Sequence, residues 1–345
     1  MTMPGAVVET DSGYIAFLLP RQQIGVAGTL YLDEGVTLSR IEVQLSQGKA
    51  TAFESTAWIE AGQVRYIEGS YSRFATAVLS NPFERDITNL IVSAVAYDDA
   101  GQIIGGGFTY LNFLPAGGAT GARVSIEGLS QVARVEVYAT LSGLSTLDTA
   151  RAQAADAQAV MLIDAGFGQD GQNAGYGFLA RNPNANYAVE RSMYRLTAYA
   201  ADGTVVSAEE GYIELLLPGQ TLGVGGDMYL AENVAIERVE AQVYPGQYVQ
   251  SETLPFFDAE NVMYLAGDYA SRVTGQILNP YAKDITQMRV SAIAYDAAGK
   301  IVGGFTFLDF APANGKAAVE VRVTTAGAPA RVELHAAVSG LSAFK

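Results

Sequence analysis

Residues 81–115 read NPFERDITNLIVSAVAYDDAGQIIGGGFTYLNFLP, and residues 279–312 read NPYAKDITQMRVSAIAYDAAGKIVGGFTFLDFAP. Between them, residues 182–218 carry the same plan in diverged form, NPNANYAVERSMYRLTAYAADGTVVSAEEGYIELLLP. Each copy runs from an Asn-Pro turn through an alternating run ending in Ala-Tyr, then a tight turn, a second alternating run and Pro. In the first copy Val92, Ala94 and Ala96 fall on one strand face, and Ser93, Val95 and Tyr97 on the other, because successive side chains of a strand point to opposite sides. In the last copy Val290, Ala292 and Ala294 oppose Ser291, Ile293 and Tyr295 in the same way. The turns are Asp98-Asp99-Ala100-Gly101, Ala201-Asp202-Gly203 and Asp296-Ala297-Ala298-Gly299. Gly101, Gly203 and Gly299 are their structural residues, since Gly tolerates positive φ while Asp bonds its neighbouring backbone. The stretch predicts a β-hairpin inside a larger β unit.

The repeat extends beyond the hairpin. Asn279 follows Asn81 by 198 residues, and GYIELLLPGQTLGVGGDMYL from Gly211 follows GYIAFLLPRQQIGVAGTLYL from Gly13 by the same interval. The strong repeat is therefore a double unit, and each half is a unit of about 100 residues, the size of a sandwich domain. Arg40-Ile41-Glu42, Arg134-Val135-Glu136, Arg238-Val239-Glu240 and Arg331-Val332-Glu333 mark the same late strand in four units. Alternation places their Arg and Glu on a solvated face, where an exposed pair contributes at most ~1 kcal/mol. The expected map is a half unit at 1–45 and full sandwiches at 46–145, 146–247 and 248–345. Residues 146–158, TLDTARAQAADAQ, read as a linker or short helix.

Pro4-Gly5 aligns with Asp202-Gly203, so the half unit lacks the strands equivalent to residues 148–200. It keeps apolar late strands: Ile15, Phe17 and Leu19, then Val26, Leu30 and Leu32, then Ile41, Val43 and Leu45. Half a sandwich is expected to expose one apolar face and unpaired edges, which invite another chain.

Composition bounds the partners. Net charge is −15, which argues against nucleic acid and anionic membranes. Charged residues are 17% and apolar residues 49%, a low-charge chain with surface to bury between units or subunits. With no Cys, disulfides and thiolate chemistry are excluded. No run reaches the ~20 apolar residues of a membrane helix, and Met1-Thr2-Met3-Pro4 is no signal peptide.

The unit resembles the FxLYD family of bacterial and archaeal surface proteins, an immunoglobulin-like sandwich. The resemblance rests on Tyr97-Asp98 to Gly101, Tyr295-Asp296 to Gly299, and Leu216-Leu217-Pro218-Gly219. Tyr199 lacks the following Asp, and Ala94, Ala96, Ala292 and Ala294 stand where the family has Phe and Leu. The resemblance implies a secreted or surface location and no catalysis.

Chemistry is sparse. His335 is the one histidine, read as a surface residue on a late strand beside Glu333, with Ser339 held apart from it. Gly166-Phe167-Gly168-Gln169-Asp170-Gly171 fits G-x-G-x-x-G, but the next residues, QNAGYGFLARNP, do not read as a helix, so a hairpin loop is the better reading. Ser46-Gln47-Gly48-Lys49 matches S-x-x-K by four letters only. Asp164, Asp170 and Asn173 surround the Gly-rich loop and are weak Ca²⁺ candidates, as hard oxygens on a flexible loop suit that ion; the spacing matches no dense calcium loop. Asp86 and Asp284 recur beside the hairpins. Tyr66, Tyr71, Tyr264, Tyr269, Phe256, Phe257, Phe305 and Phe307 read as half-buried strand residues, and Trp58, opposite Phe256, supports no sugar platform built on Trp.

These readings make the chain an all-β tandem array of immunoglobulin-like sandwiches with no catalytic or cofactor residues. The expected role is a structural protein of the cell surface or extracellular space, whose partner is itself, in a stalk, sheath or filament. The alternative is an adhesin-like module for a carbohydrate or protein, with residues 166–175 as its candidate loop. The turn assignment is checked by Gly101→Val and Gly299→Val. Each should lower the melting temperature, because a β-branched residue is costly at positive φ, and unchanged melting in both contradicts the turns.

Overall fold

The computed structural model describes residues 7–52, 57–69, 72–128, 131–148, 156–267 and 270–344. Among them there is no helix, and all strand pairing is antiparallel. The first group of strands is β1 (Glu60–Glu68), β2 (Arg73–Ser80), β3 (Asp86–Tyr97), β4 (Ile103–Leu114), β5 (Ala119–Ser125), β6 (Glu127–Gly128) and β7 (Arg134–Asp148). They form the sheets β1-β2-β5 and β6-β4-β3-β7. The second group is β8 (Met161–Asp170), β9 (Asn173–Arg181), β10 (Tyr187–Tyr199), β11 (Val205–Leu216), β12 (Thr221–Tyr229), β13 (Arg238–Tyr244) and β14 (Gln247–Gln250). Its sheets are β12-β9-β8 and β11-β10-β13, with β14 also on β10. The third is β15 (Asp258–Leu265), β16 (Ser271–Leu278), β17 (Ile285–Tyr295), β18 (Ile301–Ala311), β19 (Lys316–Thr325), β20 (Arg331–Ala337) and β21 (Ala343–Phe344). Here β15-β16-β19 and β18-β17-β20 are joined by two residue pairs, Gly303 with Thr325 and Gly304 with Thr324.

Each group encloses one core between its two sheets. In the first, Ala75, Ala77, Leu79, Ala122 and Val124 meet Leu90, Val92, Ala94, Ala96 and Val137. The second packs Phe178, Leu222 and Val224 against Tyr194, Leu196 and Val206. The third packs Val273, Ile277, Val319 and Val321 against Val290, Ala292 and Leu334. Core residues alternate along the strands, but in β9, β10 and β17 the outward side chains are buried as well; burying each large aliphatic or aromatic side chain contributes about 1.5–3 kcal/mol.

A buried Asn fixes the hairpins. Asn81 Nδ2 donates to the carbonyls of Arg85 (2.8 Å), Leu114 (3.3 Å) and Pro115 (2.9 Å), while its Oδ1 accepts from Phe83 N at 3.0 Å. Asn182 does the same with Tyr187, Leu216, Leu217 and Asn184, and Asn279 with Lys283, Ala311, Pro312 and Tyr281. Gly101, Gly203 and Gly299 have φ of 75°, 82° and 84°, and their N–H groups close the turns onto Asp98, Ala200 and Asp296 carbonyls.

Three local expectations change. Residues 7–52 contain no strand, although strands were expected over residues 13–45. In the second group β11 is held by β10 and β12 by β9, whereas among the described residues no strand pairs with residues 7–52. Secondly, β7 continues to Asp148 and β14 to Gln250, past the boundaries drawn at 145 and 247, because they keep pairing with Asp86–Thr88 and with Tyr187–Glu190. Thirdly, residues 146–148 belong to β7 and residues 157–158 have no regular structure; residues 149–155 lie outside the described residues, as do Met1–Pro4, Tyr71 and Tyr269.

Asn279→Ala should lower stability by roughly 3 kcal/mol, since three carbonyls and one N–H lose their partner and each unsatisfied buried group costs about 1–3 kcal/mol before relaxation. Urea unfolding checks it, and a change below about 0.5 kcal/mol, the range of an indifferent surface site, contradicts the clamp.

Candidate functional site

The described residues offer two inter-unit faces, built differently. The first joins sheet β1-β2-β5 to strands β10 and β11. Thr76 Oγ1 donates to Val205 O at 2.6 Å, and Gly121 N donates to Thr197 Oγ1 at 3.2 Å. Arg195, 4% exposed, donates through Nε to Gly121 O and through Nη1 to Glu210 Oε2, both at 2.7 Å. Arg123 stacks over Phe74 at 4.1 Å and faces Glu209 at 3.6 Å. Burial lowers the pKa of both guanidinium groups and raises that of the Glu209 carboxyl. This face is a polar latch.

The second joins sheet β12-β9-β8 to β17, β18 and β20 through glycines. A Cβ on Gly177 would stand 2.7 Å from Ile293 Cδ1, and one on Gly223 2.7 Å from His335 Nε2. On Gly166 and Gly168 it would collide with the Ile301 and Val302 carbonyls, and on Gly175 with Thr324 O. The G-x-G-x-x-G stretch is thus neither a phosphate loop nor a loop at all up to Asp170: it is strand β8, followed by a turn at Gly171 (φ 59°). Its glycines let one sheet lie directly on another. Ile293, Tyr295 and Ile301, closed by Leu179, form a small apolar cluster there.

Beside that face lies a cleft of about 570 Å³, lined among others by Tyr212, Leu222, Arg289, Thr306 and Leu341. Arg289 crosses its floor, donating to Tyr212 O at 2.8 Å and Thr306 Oγ1 at 3.2 Å. His335 is not a surface residue: it is tucked against Gly223 and its Nε2 is 3.3 Å from Glu333 Oε2. Burial, with help from Arg331, pushes its pKa down to about 4, so the ring is neutral near pH 7 and this contact is a hydrogen bond rather than an ion pair. Ser291 stands opposite His335 in the ladder but lies 3.4 Å from Thr306 Oγ1 and is buried. Ser339 donates to Gln287 O. The arrangement positions hydroxyls for packing and gives none of them a hydrogen bond to the imidazole.

The Arg-x-Glu markers do more than line a solvated face. Arg134, Arg238 and Arg331 lie 4.0, 3.8 and 3.8 Å above the rings of Tyr97, Tyr199 and Tyr295. Tyr97 and Tyr295 donate their hydroxyls to Glu136 and Glu333 at 2.9 and 2.7 Å. Each Arg also pairs with its own Glu. The calcium candidates do not converge. Asp164 and Asp170 lie six residues apart on β8, about 20 Å of strand, whereas Asp170 pairs with Asn173 across the turn. Among the described residues no three His, Cys, Asp or Glu side chains are grouped to hold a metal. Asp86 and Asp284 accept the Ala116 and Ala313 N–H groups instead.

Of the aromatics, Tyr66, Phe257 and Tyr264 pack on cores, and Trp58 and Phe256 are each 36% exposed. The side chains of Phe305 and Phe307 lie outside the described ones. Sequence reasoning missed Arg123, Arg195 and Arg289; a lone Arg in an alternating run carries no mark of what will cover it. No family model matches the chain, and no curated protein does.

His335→Gln tests the buried imidazole. A lowered folded pKa gives stability that is complete above the unfolded value near 6.5 and is lost as pH falls from there toward 4. The parent protein should lose roughly 1–2 kcal/mol more than the variant between pH 6.5 and 5. Equal slopes in denaturant titrations over that window contradict it.

Proposed function

We propose that the chain is a non-catalytic structural protein of the cell surface or extracellular space, built from immunoglobulin-like units of the kind its FxLYD-like motifs suggest. It serves in a stalk, sheath or filament that forms by self-association. The observation that carries this reading is the stacking rule. The three-stranded sheet of one unit lies on the hairpin sheet of the next, from β1-β2-β5 to β10-β11 and again from β12-β9-β8 to β17-β18. A rule used twice along one chain is a rule for an array, in which neighbours bury surface against one another.

A second reading, an adhesin-like module for carbohydrate or protein, is favoured by the cleft at Arg289. Tyr212, 45% exposed, and Leu341, 63% exposed, offer it an aromatic wall and an apolar rim, the composition of a small binding site.

Light scattering and electron microscopy of the full chain separate the readings. The structural reading expects particles larger than one chain, reduced to single chains when residues 1–45 are deleted. A monomer at every concentration, unchanged by the deletion, overturns it.

A further inference from the structure

The two hairpins that define the repeat differ in what covers them. Ile301, first residue of β18, is fully buried, whereas Ile103, first residue of β4 and its counterpart, is 70% exposed. Ile301 is covered because β8 and β9 lie on it: Gly166 and Gly177 face it, and Leu179 closes the cluster it shares with Ile293 and Tyr295. The first unit presents the same surface in Val95, Tyr97, Ile103 and the run Gly105-Gly106-Gly107. Phe108 and Tyr110, 43% and 51% exposed, extend it along the outer side of β4.

Part of the cover is already in place. Gly25 corresponds to Gly223. A Cβ on Gly25 would stand 2.6 Å from both Tyr138 Cδ2 and Val95 Cγ2, and Tyr138 occupies the place of His335. Ala27 likewise approaches Gly106, where a Cβ would meet its methyl at 3.4 Å. Residues 23–31 thus lie over the first unit as β12 lies over the third. In β12 the alternate side chains Val224 and Met228 are 1% and 2% exposed, but Val26 is 67% exposed. Among the described residues no strand pairs with residues 23–31 and none covers Ile103, whereas β8 and β9 flank β12 and cover Ile301.

We propose that the outer face of β3-β4-β7 is a docking surface for a glycine-alternating β-hairpin with the chemistry of β8-β9. The hairpin pairs edge to edge with residues 23–31, which already cover Val95 and Gly106, and lays its glycines on the open Ile103 beside them. The seated example of β8-β9 on β17-β18 identifies the occupant. Small residues are required there because the β18 backbone meets them: on Gly166 and Gly168 a Cβ would fall on the Ile301 and Val302 carbonyls. The inference rests on the stacked-array reading for its stacking rule, and it adds the site, the register and the chemistry of what the site takes.

The chain contains no Cys, so a single introduced thiol reports cover directly. Ile103→Cys in the full chain should react quickly with a maleimide, and Ile301→Cys slowly. A second protein carries a copy of residues 146–202 joined ahead of Gly5. There, labelling at Ile103→Cys should slow at least roughly tenfold, as expected when a site reacts only through local opening. Replacing the two glycines that match Gly166 and Gly168 in the added copy by Val should restore fast labelling. A peptide of residues 159–183 added to the unextended chain tests capture in trans; slowing in this arm or in the fused one supports the site. Fast labelling at Ile103→Cys in both arms overturns it, provided that a Leu179→Cys equivalent in the fused copy is itself protected. That failure would leave the assembly state of the unextended chain, read by light scattering, untouched.

Discussion

Everything in this architecture depends on a buried carboxamide. Asn81, Asn182 and Asn279 are each 3% exposed or less, and each bonds the turn that opens a hairpin and the turn that closes it. The Asn backbone N–H is used too, donating to Gly118, Gln220 and Gly315 carbonyls at the start of the next strand. One residue thereby ties the end of β2, β9 or β16 to the far end of the hairpin that crosses to the other sheet. The two sheets share no ladder in the first two units and only two residue pairs in the third, so side-chain packing fixes their separation but leaves sliding cheap. A carboxamide with three carbonyl acceptors and one N–H donor fixes the slide, because any shift leaves buried groups unpaired.

The clamp recurs every unit, yet the strong sequence repeat spans two units, and the inter-unit faces explain why. A face has two sides, and each side must match its partner. Glycines on β8, β9 and β12 meet Ile293, Ile301 and His335. The corresponding outer surface of the first unit instead carries Thr76, Gly121 and Arg123, which meet Val205, Thr197 and Glu209. The first unit therefore turns a polar three-stranded face to the second, and the second turns a glycine-bearing three-stranded face to the apolar hairpin face of the third. Two different kinds of joint make neighbouring units differ in sequence, although the fold repeats with every unit.

This division also sorts what is legible in the sequence. Strands β3, β10 and β17 are plain from alternation, and the turn glycines from Asp and Gly spacing, because both signals come from residues close along the chain. The Asn-Pro pairs mark turns, but the role of Asn182 is set by carbonyls 34 and 35 residues away, which no local pattern carries. The same applies to Gly166 and Gly168. In sequence they look like a flexible loop, since glycine is usually enriched where the backbone bends; in the fold they are strand residues chosen for lacking a side chain. His335 reads as exposed because its strand is amphipathic on its own, and only the neighbouring unit turns its polar face inward. Residues 7–52 keep the alternation of strands, yet among the described residues no strand pairs with them, so pattern and pairing part there.

The two joints should differ in what they contribute. Sheet-on-sheet contact through glycine removes apolar surface from water with little side-chain entropy to lose, so it supplies cohesion. The polar joint places Arg195 in a buried site with Glu210 and the Gly121 carbonyl. Taking that charge out of water offsets much of its Coulombic gain, and a matched apolar pair would hold as well or better. What the arrangement supplies is discrimination. A neighbour lacking the Gly121 carbonyl or the carboxylates leaves Arg195 and Arg123 unpaired, a penalty of several kcal/mol against any other register. At Arg123's place the third unit carries Glu320, which pairs with Arg272 on its own sheet. A unit like the second therefore finds its latch on the first unit and not on the third. The chain thus carries one joint that holds and one that selects.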